Sequence, residues 1–166
     1  MDHGTLVHAW MEEITWLEGP PASDTLKEVA AGLGIAFDNL DGRIERFLEQ
    51  LEQPDVRDLM SQAAYDDPAS LPFDKATRDL VAAGHCDARV QNEAPFVVDE
   101  EGAVLRGTID RLVLLQREDQ VLAADVIDFK TDDVAGDAVP DRAGRYAFQG
   151  RSYARAVQEA LGLDAP

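Results

Sequence analysis

Apolar residues in the first half of the chain recur every three or four positions, which is the spacing of one face of an α-helix. The first run covers residues 6–17 and is followed by Gly19-Pro20-Pro21, which is typical of a helix end. Ser23 or Asp24 is suited to cap a second helix that reaches residue 31. Further helices are predicted around residues 44–51, from Pro54 onward and over residues 74–83, with a loop at residues 65–73.

The second half of the chain has the pattern of β-strands. Residues 89–98, 104–115 and 121–130 are rich in apolar residues and are separated by short polar turns, which predicts an antiparallel meander. An acidic loop at residues 132–144 then leads to a final helix at residues 145–161. The predicted fold is α+β in a single domain over residues 1–166. A mainly helical part covers residues 1–85, and a three-stranded antiparallel sheet with a final helix covers residues 86–166.

Acidic residues interrupt the apolar faces of the second and third predicted strands. Because side chains alternate between the faces of a strand, Asp110 shares a face with Leu112 and Leu114. By the same rule, Asp128 and Lys130 point to one side of the third strand. A buried carboxylate is costly unless a cation compensates it, and Mg²⁺ prefers oxygen ligands. If the two strands are neighbours, Asp110 and Asp128 converge on one divalent ion, with Lys130 beside them to orient a water or stabilise a phosphate.

The charge of the chain conflicts with a role on nucleic acid. It has 15 Lys and Arg residues against 33 Asp and Glu residues, a net charge of −18, whereas phosphate contacts need a basic surface. Lysine is scarce, since only Lys27, Lys75 and Lys130 are present. A lysine inside a strand beside two carboxylates is therefore an unusual feature of this sequence.

Cysteine content and hydropathy limit the remaining possibilities. Cys86 is the single cysteine, which excludes an internal disulfide and a zinc or iron–sulfur site made of this chain's cysteines alone. No apolar run is long enough to span a bilayer, and the N-terminus lacks the pattern of a signal peptide. A cytoplasmic location without a membrane partner is expected.

Several motifs, in a fixed order, resemble one known family. Gly107-Thr-Ile-Asp110-Arg followed by Asp125-Val-Ile-Asp128-Phe-Lys130-Thr resembles the core of the RecB-type nucleases of the PD-(D/E)XK superfamily. The resemblance extends to Gly4-Thr-Leu-Val-His8, Glu93-Ala-Pro-Phe96 and Tyr146-Ala-Phe-Gln149-Gly-Arg-Ser-Tyr153. It is greatest to the C-terminal nuclease domains of AddA-type helicase–nucleases, which process double-strand breaks. The absence of four cysteines argues against the iron–sulfur branches of the family.

The resemblance implies a restriction-endonuclease-like core and a Mg²⁺- or Mn²⁺-dependent deoxyribonuclease that hydrolyses phosphodiester bonds. It implies that His8, Asp110, Asp128 and the backbone carbonyl of Phe129 bind the metal and that Lys130 positions the attacking water. Glu93 would lie at the edge of the site. Gln149 and Tyr153 would support the site or contact the DNA. Gln149 is as readily interpreted as a structural residue, and Tyr153 as a core residue.

The chain contains no phosphate-binding loop of a helicase motor, and it stops where family members usually add another strand. The sequence is therefore interpreted as the exonuclease module of a larger helicase–nuclease, or as a nuclease that needs a partner subunit. A single DNA strand delivered by a helicase would need little affinity from an acidic domain. Two alternatives stay open: a non-catalytic interaction or DNA-guiding module that keeps the nuclease fold, and an acidic DNA mimic.

Overall fold

The structure is a computed structural model that describes residues 3–100, 103–130 and 139–163. The chain divides into two compact units, residues 1–71 and residues 72–166. The division lies earlier than residue 85, where the sequence pattern changes from helical to extended. Within the described residues no helix has the length and hydropathy needed to cross a membrane.

The first unit is helical. Its elements are α1 (His3–Glu12), α2 (Ser23–Gly32), α3 (Leu40–Leu51), α4 (Pro54–Met60) and a short 3₁₀ turn (Gln62–Tyr65). Trp10 is fully buried, packs its ring 5.0 Å from that of Phe47, and donates its indole N–H to the carbonyl oxygen of Leu26 at 2.9 Å. This buried indole with a satisfied donor joins α1, α2 and α3 in one core.

Two details of the predicted helices in this unit are wrong. The first helix ends at Glu12 rather than near residue 17, and the N–H of Leu17 donates to the carbonyl oxygen of Met60 instead. Leu17 is still buried, so the apolar spacing marked burial correctly but not the helical backbone. The second helix begins after Ala22, without a side-chain cap, so neither Ser23 nor Asp24 caps it. Gly34 follows this helix with a φ of 65°, the left-handed conformation in which a glycine commonly ends a helix.

The second unit contains the sheet. Its elements are α5 (Lys75–Ala82), β1 (Asp87–Glu100), β2 (Ala103–Arg117), β3 (Gln120–Ile127) and α6 (Val139–Leu161). The strands form an antiparallel sheet in the order β1-β2-β3, with Leu112 paired to Val126 and to Gln91. Tyr153 and Val157 of α6 pack in a buried cluster with β2 residues such as Leu112. The predicted α+β class with a three-stranded antiparallel meander is confirmed.

The final helix begins earlier than the sequence pattern indicated. Val139 is its first residue, so the predicted loop at residues 132–144 is wrong from residue 139 onward, and residues 131–138 lie outside the described part. The segment contains Pro140 and Gly144, and both residue types are typical of loops. A proline in the first turn of a helix is tolerated because its missing N–H has no helical acceptor there.

Candidate active site

The sheet brings Asp110 and Asp128 together. Arg111 pairs with Ile127 as the last pair of the β2–β3 ladder. Asp110 directly precedes Arg111 on β2, and Asp128 directly follows Ile127, where β3 ends; the predicted extent of the third strand to residue 130, which put Asp128 and Lys130 on one face of it, is therefore wrong. The expectation that the two strands are neighbours is therefore confirmed. Asp110 is half-buried and the side chain of Asp128 is 20% exposed, so both carboxylates lie at the boundary between the sheet and solvent.

The carboxylate of Asp110 is held by the chain that follows β3. Its Oδ2 accepts a hydrogen bond of 2.7 Å from the backbone N–H of Phe129. A charged acceptor makes this bond stronger than a bond between neutral groups. The bond fixes one carboxylate oxygen of Asp110 and continues the contact between β2 and the segment after β3.

Lys130 forms an ion pair with Oδ2 of Asp128, and its side chain is 33% exposed. Partial burial by itself would lower the pKa of Lys130. The hydrogen bond that the amine donates to Asp128 and the negative charges of Asp128 and Asp110 outweigh that effect, so the pKa of Lys130 lies above its ordinary value of 10.5. The amine is therefore a cation at neutral pH, and Asp110, Asp128 and Lys130 form one electrostatic group.

Glu93 lies across from Asp110 on the other side of β2. The ladder pairs Asn92 with Arg111 and Ala94 with Ile109, which leaves Glu93 opposite Asp110 between them. A carboxylate oxygen of Glu93 lies within 4.8 Å of one of Asp110. Glu93 is exposed and has a φ of 50°, the left-handed region that a residue with a side chain rarely adopts. Glu93 on β1, Asp110 on β2 and Asp128 directly after β3 thus occupy consecutive register positions across the sheet.

Tyr153 and Gly107 contribute to the packing next to the acids and Lys130. Tyr153 is 9% exposed, and its ring meets that of Phe96 edge-on with centroids 5.1 Å apart. Tyr153 is also close enough to Lys130 to contribute to its raised pKa. A Cβ at Gly107 would come within 2.7 Å of the Phe96 ring, so the glycine of the motif makes room for this aromatic contact. The observed surroundings of Tyr153 are those of a core residue beside the site.

The remaining candidate residues, His8 and Gln149, belong to helices. His8 lies in α1 of the first unit and is half-buried. Gln149 belongs to α6, but its side chain is outside the described part of the structure. The roles inferred for both from the resemblance stay predictions.

Two residues next to the acids were not recognised from the sequence. Arg111 is fully buried, and its Nη1 donates to Oδ1 of Asn92 on the neighbouring strand at 3.4 Å. A charged residue within the apolar run that follows Asp110 is an available sequence signal, because buried arginine is rare unless it has partners. The identity of the partner depends on strand register, which the sequence does not specify.

The donor set fits a hard divalent cation. Glu93 and Asp110 offer carboxylate oxygens within 4.8 Å of each other, and one ion with oxygen ligands at about 2.0–2.6 Å can bridge such a gap. Asp128 lies one residue beyond the last β2–β3 pair, next to Asp110 in register, and its carboxylate carries the ion pair with Lys130. Carboxylate ligands favour Mg²⁺, Mn²⁺ or Ca²⁺ over metals that prefer sulfur.

The family model described as the PD-(D/E)XK nuclease superfamily matches residues 1–165. No curated protein and no solved structure gives a match. The three-stranded antiparallel sheet and the six α-helices of the described residues are consistent with a restriction-endonuclease-like fold. With a match over nearly its whole length, this chain belongs to the PD-(D/E)XK nuclease superfamily.

Proposed function

We propose that the chain is a Mg²⁺- or Mn²⁺-dependent deoxyribonuclease that hydrolyses phosphodiester bonds with Asp110, Asp128 and Lys130 as its central residues. The observation that carries the proposal is the placement of Asp110 and Asp128 side by side beyond the last β2–β3 pair, with Lys130 bound to Asp128. Two carboxylates and an amine at the end of the β2–β3 pair suit a reaction at a phosphate, because the acids can hold a cation and the amine stays charged.

Asp110 and Asp128 would hold the ion, with Glu93 as a further acidic group at the edge of the site. The hydrogen bond from the N–H of Phe129 to Asp110 keeps Phe129 at the site. This supports the backbone carbonyl of Phe129 as another ligand. His8 is proposed as a ligand on the motif resemblance alone. When bound, the ion would supply Lewis-acid polarisation of a phosphate oxygen and a water of lowered pKa.

Lys130 would act as the positively charged group that orients water or stabilises charge on the phosphate. Its raised pKa means that it donates hydrogen bonds as an ammonium at neutral pH. The amine is paired with Asp128, so binding of a cation by Asp128 would release the amine for the phosphate. Tyr153 would support this arrangement from α6, and Gln149 is proposed to support it or to contact the DNA.

The motif resemblance further supports a role as the exonuclease module of a RecB- or AddA-like helicase–nuclease in double-strand break repair and recombination. The partners would be a helicase motor, in the same polypeptide or in another subunit, and a single DNA strand that the motor delivers. The net charge of −18 agrees with delivery by a partner, because long-range repulsion opposes independent binding of DNA. We therefore expect weak and salt-sensitive binding of DNA by the isolated chain.

A cleavage assay tests the activity. Purified chain is incubated with end-labelled single- and double-stranded DNA in Mg²⁺, in Mn²⁺ and in EDTA. Asp128→Asn and Lys130→Gln are compared with Asp119→Asn, a matched change of an exposed acid in the β2–β3 turn. We expect metal-dependent cutting by the native chain and Asp119→Asn, and a loss of at least about a hundredfold in the other two variants.

Equal cutting by Asp128→Asn, Lys130→Gln and the native chain would overturn the assignment of the site. A folded native chain that binds Mn²⁺ in calorimetry but cuts no DNA, alone or with a helicase partner, would favour a non-catalytic module of the same fold. A chain that binds neither metal nor DNA would favour the acidic DNA mimic instead.

A further inference from the structure

The β1–β2 ladder is interrupted where Glu93 faces Asp110. The pairs on either side, Asn92 with Arg111 and Ala94 with Ile109, keep the same register. Glu93 adopts a φ of 50° there. Ile109 packs in one buried cluster with Leu112 and Leu114, although simple alternation along β2 would put it on the other face. The two strands therefore depart from regular strand geometry at the position of these two acids.

This arrangement has two unfavourable features. A residue with a side chain in the left-handed region costs energy unless its surroundings hold it there. The carboxylates of Glu93 and Asp110 also have oxygens within 4.8 Å of each other, and like charges so close repel. Neighbouring interactions must therefore keep Glu93 in this conformation before any cation arrives.

The residue pair next to the interruption, Asn92 and Arg111, can hold Glu93 in its left-handed conformation. Asn92 directly precedes Glu93 on β1, and Arg111 directly follows Asp110 on β2. Asn92 and Arg111 are register partners. The hydrogen bond from Arg111 Nη1 to Asn92 Oδ1 joins the side chains of the two strands at 3.4 Å. Arg111 is fully buried, so its charge is poorly screened by solvent.

We infer that Asn92 and Arg111 form a cross-strand clamp, a positioning pair that holds Glu93 in its left-handed conformation with its carboxylate beside that of Asp110. The inference rests on the proposed function insofar as the two carboxylates serve a cation. The clamp acts through Glu93, and neither of its members needs to touch the metal or the DNA.

Mn²⁺ titration by calorimetry tests the clamp at the metal. Asn92→Leu removes the acceptor oxygen at nearly constant shape, Asn92→Asp keeps it, and Gln91→Leu is the matched control at the exposed neighbouring position. We expect Asn92→Leu to weaken Mn²⁺ binding about tenfold, as loss of support for a ligand commonly does. Asn92→Asp and Gln91→Leu should stay within about threefold of the native chain, because the acceptor is preserved in both.

The same titration in a Glu93→Gln background distinguishes a loss of Glu93 positioning from a general disturbance of the fold. If the clamp acts through the Glu93 carboxylate, Asn92→Leu should add less than about a twofold change once that carboxylate is gone, because coupled sites are not additive. An undiminished tenfold effect in that background would overturn the inference.

A second cycle needs no metal and uses urea denaturation. Glu93→Gly removes the cost of the left-handed backbone and should raise the midpoint of unfolding. Asn92→Leu should lower the midpoint of the native chain by more than it lowers that of Glu93→Gly. Equal shifts in the two backgrounds would contradict the clamp. If the native chain binds no Mn²⁺, the proposed function fails, while this cycle still decides whether the clamp exists.

Discussion

The backbone N–H of Phe129 donates a hydrogen bond of 2.7 Å to Oδ2 of Asp110. This bond lies beyond the last β2–β3 pair, Arg111 with Ile127, and therefore extends the contact of the two strands through a side chain. Asp110 consequently has two separable tasks. One oxygen accepts a backbone donor of the fold, and the negative charge of the group is available for a cation.

Asp110→Asn and Asp110→Ala should separate these tasks. The asparagine keeps a carbonyl oxygen for the N–H of Phe129, so we expect its free energy of unfolding to fall by less than about 1 kcal/mol. Its affinity for Mn²⁺ should fall at least about tenfold, because a charged ligand is lost. The alanine loses the acceptor as well and should be destabilised by about 1–3 kcal/mol. Urea denaturation and calorimetry measure the two quantities, and equal destabilisation by both variants would contradict the structural task.

Lys130→Met should change metal binding and cutting in opposite directions. The amine is an ion-pair partner of Asp128 and a positive charge beside any cation held there. Its removal should strengthen Mn²⁺ binding by a factor of about three to ten, a modest effect because the group is partly exposed to solvent. Cutting should nevertheless fall at least about a hundredfold, because the group that stabilises charge on the phosphate is missing. Weaker binding of Mn²⁺ by this variant would show that Lys130 does not compete with the cation.

The proximity of Asp110, Asp128 and Lys130 was predictable from the sequence, and the detailed geometry around them was not. Short polar turns determine which strands are neighbours in a meander, and the positions of Asp110 on β2 and of Asp128 directly after β3 then bring the acids together. Glu93 could be selected from its motif, but nothing in the local pattern indicates its φ of 50°. That conformation depends on side chains of the neighbouring strand, as does the bond from Arg111 to Asn92.

The helices also show that a local sequence pattern does not specify the detailed backbone geometry. Apolar spacing identified Leu17 as a buried residue, yet its N–H bonds to Met60 and the helix ends at Glu12. Spacing reports which side chains are buried and does not specify the backbone that carries them. Pro140 suggests a loop but lies in the first turn of α6. A proline is compatible with either structure, and the residues after it decide between the two. Ends of elements were therefore less predictable than their existence.

Arg117→Met should destabilise the sheet unit without touching the site. Nη2 of Arg117 donates to the carbonyl oxygens of Leu80 at 2.8 Å and Val81 at 3.2 Å, near the C-terminal end of α5. Helix ends leave carbonyls without partners, and a cation there also suits the helix dipole. We expect a loss of roughly 2–3 kcal/mol in the free energy of unfolding. Arg89→Met, at an exposed position of β1, is the control. Equal urea midpoints for the two variants would contradict the role given to Arg117.

Asp74 should make the free energy of unfolding depend on pH in the acidic range. Its side chain caps α5 by accepting from the N–H of Thr77 at 2.7 Å, and this bond is the main reason why its pKa lies below the ordinary 3.8. A carboxyl whose pKa is lower in the folded chain contributes its stabilisation fully above the unfolded value and loses it as the pH falls through the folded value.

Asp74→Asn keeps a capping oxygen and removes the charge, so the difference between the native chain and this variant isolates the ionised carboxylate. Urea midpoints should differ by a constant amount above about pH 5, and the difference should shrink as the pH falls below the ordinary carboxyl pKa. Asp119→Asn, in the exposed turn between β2 and β3, serves as the control for general charge effects. A difference that persists unchanged to the lowest pH at which the chain is folded would mean that the charge of Asp74 does not stabilise α5.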